Sequence, residues 1–194
     1  TGAVNMVEIC AWLRQNLDND CIITNGAGNF AIWPSKFLDF GHNRRLLAPQ
    51  SGAMGAGLPA AIAAKTVDPA RQVLCFAGDG DIQMTLAELG TAAQENLRPI
   101  ILVLNNGMYG TIRAHQEKHY PNRVSATKIV NPDFVTIAKA YGFHGERVST
   151  TAEFVPAFQR AKVSAQGAIV EIMIDPEDIS PFSSIAKIRG TGRV

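Results

Sequence analysis

The feature that most constrains the fold of this chain is a series of short, continuously apolar segments that alternate with amphipathic ones. Residues 73–77 and 100–104 are the clearest apolar segments, and residues 168–174 are a further predicted strand, interrupted by Glu171. Segments that are apolar at every position are typical of strands buried on both faces of a parallel sheet. The pattern therefore predicts an α/β fold, a doubly wound and mostly parallel sheet with helices on both faces.

The remaining segments complete this alternation. Helices are predicted at residues 4–17, 30–38, 58–64, 82–95, 133–141 and 152–162, and further strands at 21–24, 46–48 and 145–148. Asn131 and Pro132 are a plausible cap and first turn for the helix at 133–141. Residues 108–131 are predicted to be polar and rich in loops, and the tail after Asp175 to be irregular. Because no repeat or linker interrupts the pattern, we expect residues 1–194 to form a single domain.

The composition disfavours several classes of partner. The formal net charge at pH 7 is +1, so no overall field attracts nucleic acid or an anionic membrane, and we expect neither. No stretch reaches the roughly 18 consecutive apolar residues of a membrane-spanning helix. The three cysteines are far apart and suggest neither a disulfide framework nor a metal clip. This cysteine usage favours a reducing compartment, and we expect a cytoplasmic protein.

Polar residues follow the strand at 73–77 where it ends. Gly78-Asp79-Gly80 comes directly after this strand and opens a helix. The glycines allow a tight turn, and the N–H groups of Gly80 and Asp81 would suit a phosphate at the helix start. Because a carboxylate repels a phosphate, Mg²⁺, which takes oxygen ligands, would have to lie between them. An ordinary strand-to-helix turn is the alternative.

A second polar pair, Asn105-Asn106, ends the strand at 100–104. Residues 81–104 separate this pair from Gly80, which is enough chain for one helix and a crossover back to the same edge of the sheet. An amide oxygen there could complete a metal site without adding charge. The alternative is an ordinary Asn-Gly turn after a strand.

Gly78-Asp79-Gly80 followed at this distance by Asn105-Asn106 resembles the fingerprint of the thiamine diphosphate-dependent decarboxylases and carboligases. The resemblance implies that Mg²⁺ is bound by Asp79, the Asn106 side chain and the main-chain carbonyl of Met108. It also implies cofactor contacts by Gly78, Gly80, Asp81, Asn106, Met108, Tyr109 and Gly110. The chain would then have the thiamine diphosphate-binding fold and be the C-terminal, diphosphate-binding domain of a longer enzyme.

The glycine-rich residues 51–57 are similar to the stretch of this family that lies under the cofactor. Met54 stands where a bulky apolar side chain bends the cofactor into a V, and a flexible thioether suits such a wedge. The resemblance also gives the Gly52 carbonyl a hydrogen bond from the cofactor's 4′-amino group. Gly52 and Met54 are thus the predicted catalytic residues, with Ser51 as a further cofactor contact. A Gly/Ala-rich helix start packed closely on a neighbour is the alternative.

The end of the first strand carries a looser resemblance, because relatives often place Gln-His or Ser-Thr there. Gly28 and Asn29 are predicted to contact the phosphates on this basis. His115 and His119 have the spacing of a metal pair, but with no third ligand nearby a solvated or lid-forming segment is favoured over a zinc site.

The segment after the asparagine pair bears on the reaction. Residues 111–113 stand where pyruvate decarboxylases carry a glutamate. Because none of these three residues carries a carboxylate, the segment favours an acetolactate synthase-like carboligase that acts on a small-molecule 2-oxo acid. A simple 2-oxo acid decarboxylase or aldehyde lyase of the same family, or a non-catalytic module of this fold, stays open. A dinucleotide-binding oxidoreductase is disfavoured, because Ala31 replaces the third glycine of its fingerprint.

The resemblance also implies a partner. In this family, the glutamate that activates the cofactor lies in a pyrimidine-binding domain of a neighbouring subunit, and no position here matches it. We therefore expect a homodimer or homotetramer, and little activity from this chain alone.

Overall fold

The computed structural model describes residues 3–41 and 43–191. Its strands are β1 Ile22–Asn25, β2 Arg45–Leu47, β3 Val73–Gly78, β4 Ile100–Asn105, β5 His144–Val148 and β6 Ala168–Met173. They form a six-stranded sheet in the order β2-β1-β3-β4-β6-β5, and each neighbouring pair is parallel. The predicted doubly wound α/β sheet is confirmed.

The helices alternate with these strands along the chain. They are α1 Met6–Asn16, α2 Ile32–Phe37, α3 Gly57–Val67, α4 Asp79–Ile82, α5 Leu89–Gln94, α6 Gly110–His119, α7 Phe134–Ala140, α8 Thr151–Lys162 and α9 Ile185–Thr191. Short 3₁₀ turns lie at Asn29–Ala31 and Leu86–Glu88. Within the ranges that the structure describes, no helix combines the length and the apolar character that crossing a membrane requires.

The helices cover the sheet on both faces. On one face α1, α2 and α8 pack against strand side chains such as Phe76 and Leu102. On the other face α3, α5 and α7 pack against strand side chains such as Cys75 and Ile101. Successive residues of a strand point to opposite faces, and both faces are buried here. This is why residues 73–77 of β3 and 100–104 of β4 are apolar at every position.

The structure corrects the predicted helix at 82–95. One turn of helix, α4, is followed by a break, and only then by the 3₁₀ turn and α5. Thr85 lies in the break with φ −135°, outside the helical range, and its hydroxyl donates to the carbonyl of Gly55 at 2.8 Å. A bond to a neighbouring loop thus holds the chain where the apolar pattern predicted continuous helix.

Two polar regions are more regular than predicted. The loop-rich segment contains α6, and the tail contains α9. The buried residue of α6 is Glu117, which is paired with Arg189 of α9, so α6 lacks the buried apolar stripe that predicts a helix. Ile185 of α9 packs in a small apolar cluster with Met108 and Ile179. The cap of α7 also differs, because Asp133 accepts the first N–H groups and not Asn131.

Candidate active site

A cleft of about 240 Å³ opens beyond the carboxyl ends of β1, β3 and β4. The strand order reverses direction between β1 and β3, and open parallel sheets bind ligands at such a point. The predicted residues that line the cleft are Gly28, Asn29, Gly52, Met54, Gly78, Asp79, Gly80, Asp81, Asn106, Met108, Tyr109 and Gly110. Ser51 is exposed and is not part of the lining.

Asp79 starts α4 at the end of β3, and its side chain is buried. Its Oδ2 accepts hydrogen bonds from the N–H of Gly107 at 2.9 Å and from Nδ2 of Asn131 at 2.7 Å. Burial raises the pKa of the Asp79 carboxyl, and these bonds act in the opposite direction. A cation bound to the same carboxylate would reinforce its charged form.

Asn105 and Asn106 take different positions. Asn106 lines the cleft. Asn105 is buried behind it, where its Oδ1 accepts from Asn131 at 3.0 Å and its Nδ2 donates to Glu171 at 2.7 Å. Glu171 is buried too and accepts from Arg147 at 2.7 Å. A continuous chain of hydrogen bonds therefore runs from the surface to Asp79.

Asn131 joins this chain to Asp79, and sequence reasoning missed it. Its Nδ2 donates to both Asp79 and Asn105, and its Oδ1 accepts from Gln83 at 3.0 Å. The one local signal was the Asn-Pro pair, which indicated a helix start rather than a polar bridge.

Asn106 and Met108 offer two further oxygens beside Asp79. Asn106 Oδ1 accepts from the Met108 N–H at 3.2 Å and keeps a second lone pair. The neighbouring segment is paired through the Gly107 carbonyl and the Tyr109 N–H, a pairing that does not use the Met108 carbonyl. A carboxylate, an amide oxygen and a carbonyl form a hard set of donors that fits Mg²⁺.

Other metal chemistry has less support in the described part of the chain. There, no group of three His, Cys, Asp or Glu side chains is arranged to hold a metal ion. The rings of His115 and His119 stack in parallel with centroids 6.4 Å apart.

Asp81 connects two loops that border the cleft. Its Oδ1 accepts from the N–H groups of Ala27 at 3.0 Å and Gly55 at 2.8 Å. Burial raises the pKa of Asp81 to about 6 against these bonds, which lower it. A methyl group on Gly26 would lie 2.0 Å from the same oxygen, so this close approach requires glycine at position 26. The sequence predicted a role for the Asp81 backbone, but not this role for its side chain.

The charged side chains that line the cleft are acidic. Asp79, Asp81 and Asp178 contribute to its lining, and no lysine or arginine of the described residues does so. Much of the remaining lining is apolar and was not predicted. These side chains come from the region of α2, from β4 and α6, and from the segment after β6: Phe30, Trp33, Leu104, Ile112, Ile174 and Ile179.

Comparison with known proteins agrees with this geometry. Residues 26–172 match the family model described as thiamine pyrophosphate enzyme, C-terminal TPP binding domain; thiamine pyrophosphate is another name for thiamine diphosphate. The acetolactate synthase large subunit of Corynebacterium glutamicum is 37% identical over 180 residues, which cover 90% of this chain and 29% of that protein. The mitochondrial acetolactate synthase catalytic subunit of Aspergillus candidus is 36% identical over 171 residues, covering 84% of this chain and 25% of its own.

A solved structure is similar over the same region. The thiamine diphosphate-dependent 4-hydroxybenzoylformate decarboxylase of Rhodococcus jostii RHA1 superposes with a TM-score of 0.82 at 30% identity. The match covers 90% of this chain and 33% of that one. The chain thus spans about a quarter to a third of the length of these relatives.

Proposed function

The chain belongs to the thiamine pyrophosphate enzymes, as their C-terminal TPP-binding domain, and from this premise we propose that it anchors the cofactor's diphosphate through Mg²⁺ in an enzyme that acts on 2-oxo acids. Asp79, Asn106 and the carbonyl of Met108 would hold the metal. The single observation that carries this proposal is the cleft lining, which combines a buried carboxylate with oxygen donors and has no cationic side chain among the described residues.

The electrostatics of the cleft explain why a metal is needed. A diphosphate beside Asp79 and Asp81 meets negative charge, and no lysine or arginine in the described lining offsets it. A divalent cation shared by the carboxylate and the phosphates removes this repulsion. Gly28, Asn29 and Gly80, which line the same cleft, would then complete the phosphate contacts.

The remaining predicted residues would shape and orient the cofactor. Bound thiamine diphosphate supplies a carbon nucleophile for attack on a carbonyl. Met54 lines the cleft and is 38% exposed, so its side chain could support a ligand from below as the proposed wedge. The Gly52 carbonyl would accept the hydrogen bond from the amino group, and the apolar lining would limit water near the reacting atoms.

The preferred activity is that of an acetolactate synthase-like carboligase. Its support comes from the curated relatives named above and from residues 111–113, which include no carboxylate. A simple 2-oxo acid decarboxylase is the second candidate, and the similar decarboxylase structure favours it. We further propose that a pyrimidine-binding domain of a neighbouring subunit completes the site in a homodimer or homotetramer. Cys10, Cys21 and Cys75 are free and buried, in keeping with a cytoplasmic protein.

The metal assignment is tested by Asp79→Ala in the full-length protein that contains this chain. We expect Mg²⁺-dependent thiamine diphosphate binding, measured by calorimetry, to be abolished, because the carboxylate that shares the metal is removed. Asp133→Ala is the matched control, since Asp133 is an exposed helix cap outside the cleft. Unchanged cofactor affinity in Asp79→Ala would refute the assignment.

The product formed from pyruvate separates the two candidate activities. The carboligase proposal predicts acetolactate as the main product, because a carboligase joins the two-carbon unit left after pyruvate loses CO₂ to a second carbonyl compound instead of releasing it as acetaldehyde. Gas chromatography of the reaction mixture measures both products. Release of acetaldehyde instead would establish the decarboxylase as the better description.

A further inference from the structure

The loop that carries Met54, residues 50–57, is bonded to its surroundings at Gly55 and at Gly57. The Gly57 carbonyl accepts from the Thr24 hydroxyl of β1 at 2.8 Å, and both backbone polar groups of Gly55 are bonded. The Gly55 N–H donates to Oδ1 of Asp81 at 2.8 Å, and the Gly55 carbonyl accepts from the Thr85 hydroxyl at 2.8 Å. Both polar groups of this residue are therefore bonded to the segment that follows Gly78-Asp79-Gly80. Because Met54 directly precedes Gly55, these two bonds fix the backbone from which its side chain extends.

The contact at Gly55 is close as well as polar. Gly55 is buried and has φ +81°, in the left-handed region that favours glycine. A methyl group added there would lie 2.7 Å from Cβ of Met84 and 3.0 Å from Cγ2 of Thr85. The loop thus lies directly against residues 84 and 85, with no room for a side chain between them.

Asp81 extends the same connection to a second loop. The oxygen that accepts from Gly55 also accepts from the Ala27 N–H at 3.0 Å. Asp81 is only 3% exposed, so its carboxylate faces these N–H groups rather than bulk water. Oδ1 of Asp81 therefore connects the Met54 loop to the loop after β1. Thr85 does not line the cleft, and its hydroxyl bonds to the Met54 loop alone.

We propose that Asp81 and Thr85 are positioning residues that hold Met54 in place under the cofactor. This inference rests on the proposed function, because it assumes that Met54 supports bound thiamine diphosphate. The Asp81 side chain then acts through the backbone of the loops and is not a ligand of the metal or the phosphates. The non-helical backbone at Thr85, between α4 and the 3₁₀ turn, allows its hydroxyl to make this bond to Gly55.

Hydrogen exchange in the cofactor-free, full-length protein tests the connection without relying on activity. In Asp81→Ala, amides in residues 50–57 and around Ala27 should exchange at least about tenfold faster, because both loops lose their acceptor. In Thr85→Val, only residues 50–57 should exchange faster. Asp81→Asn, which keeps an Oδ1 acceptor, should show a smaller change than Asp81→Ala.

Matched controls exist for both substitutions. Oδ1 of Asp133 also accepts from two backbone N–H groups, and the Thr66 hydroxyl also donates to a carbonyl, but both residues are exposed and outside the cleft. Asp133→Ala and Thr66→Val should leave exchange in residues 50–57 unchanged. Unchanged exchange there in both Asp81→Ala and Thr85→Val would overturn the proposal, and Thr85→Val keeps the test decisive if Asp81→Ala fails to fold.

Cofactor measurements then separate positioning from binding. In Thr85→Val, we expect kcat to fall about tenfold while the affinity for thiamine diphosphate changes less than about threefold. Exchange of the cofactor's C2 proton, followed by NMR, should slow in parallel with kcat. Loss of affinity in Asp81→Ala with unchanged loop exchange would make Asp81 a ligand and overturn the proposal. If the unmodified protein fails to bind thiamine diphosphate, the proposed function is wrong, while the exchange experiment still decides whether the loops are held by Asp81 and Thr85.

Discussion

Asp79 and Asp81 stand two positions apart and are equally buried, yet their carboxylates meet different partners. Asp79 accepts from Gly107 and Asn131, which come from the neighbouring strand end and the loop beyond it. Asp81 turns towards the loops at residues 27 and 55. At the scale of single residues, one strand end thus supplies a candidate metal ligand and a structural connection side by side.

Gly26→Ala tests the close packing around Asp81. The added methyl would lie 2.0 Å from Oδ1 of Asp81, so the carboxylate must move and release its N–H donors. We expect a destabilisation of about 1–3 kcal/mol, the usual cost of overpacking, visible as a lower melting temperature of the full-length protein. Gly41→Ala is the matched control, because nothing lies within 4 Å of a methyl group there. Equal melting temperatures for the two variants would contradict this description of the site.

The sequence located the candidate ligands better than the groups that orient them. Asp79 and Asn106 could be predicted because each follows an apolar strand, and strand ends meet at one edge of a parallel sheet. Asn131 and Glu171 could not be predicted, since hydrogen bonds between residues far apart in the chain produce no periodic pattern in the sequence. Asn131 lies in a loop, and Glu171 occupies a strand position where a charged side chain is stable only because Arg147 and Asn105 pair with it.

At the scale of elements, α6 and α9 are joined by a buried carboxylate. Glu117 is fully buried and accepts hydrogen bonds from Arg113, Arg189 and the N–H of Asn122. The Arg189 guanidinium and these other donors lower the pKa of Glu117 from 4.5 to about 2, against the opposing effect of burial. Apolar periodicity predicted the strands and α1 but not these two helices, because the buried residue of α6 is charged and α9 joins only a small apolar cluster around Ile185.

The pH dependence of stability tests this contact. A carboxyl whose pKa is lowered on folding stabilises the protein fully above its unfolded pKa, and the contribution is lost as pH falls through the folded pKa. For Glu117 this window runs from 4.5 down to about 2. Wild type should therefore melt at a higher temperature than Glu117→Gln at pH 6, and the difference should shrink between pH 4.5 and 3. A difference that stays constant over this range would contradict the assignment.

At the scale of the whole molecule, the cleft lies where the strand order reverses, and each strand end around it contributes a different part. The loop after β1 contributes Gly28 and Asn29 to the lining, the end of β3 contributes the buried Asp79, and the segment after β4 contributes Asn106 and Met108. The segment after β6 adds the apolar Ile179. The chain nevertheless spans only a quarter to a third of the relatives described, so the complete active site is proposed to need the rest of the enzyme.

The central claim is that a divalent cation makes this acidic cleft a diphosphate site. The most direct measurement is calorimetric titration of the full-length protein with thiamine diphosphate, once with Mg²⁺ and once with excess EDTA. We predict saturable binding with Mg²⁺ and at least about a hundredfold weaker binding with EDTA, because no lysine or arginine within residues 3–41 and 43–191 lines the cleft to offset the phosphate charge. Equal affinity under the two conditions would contradict the claim.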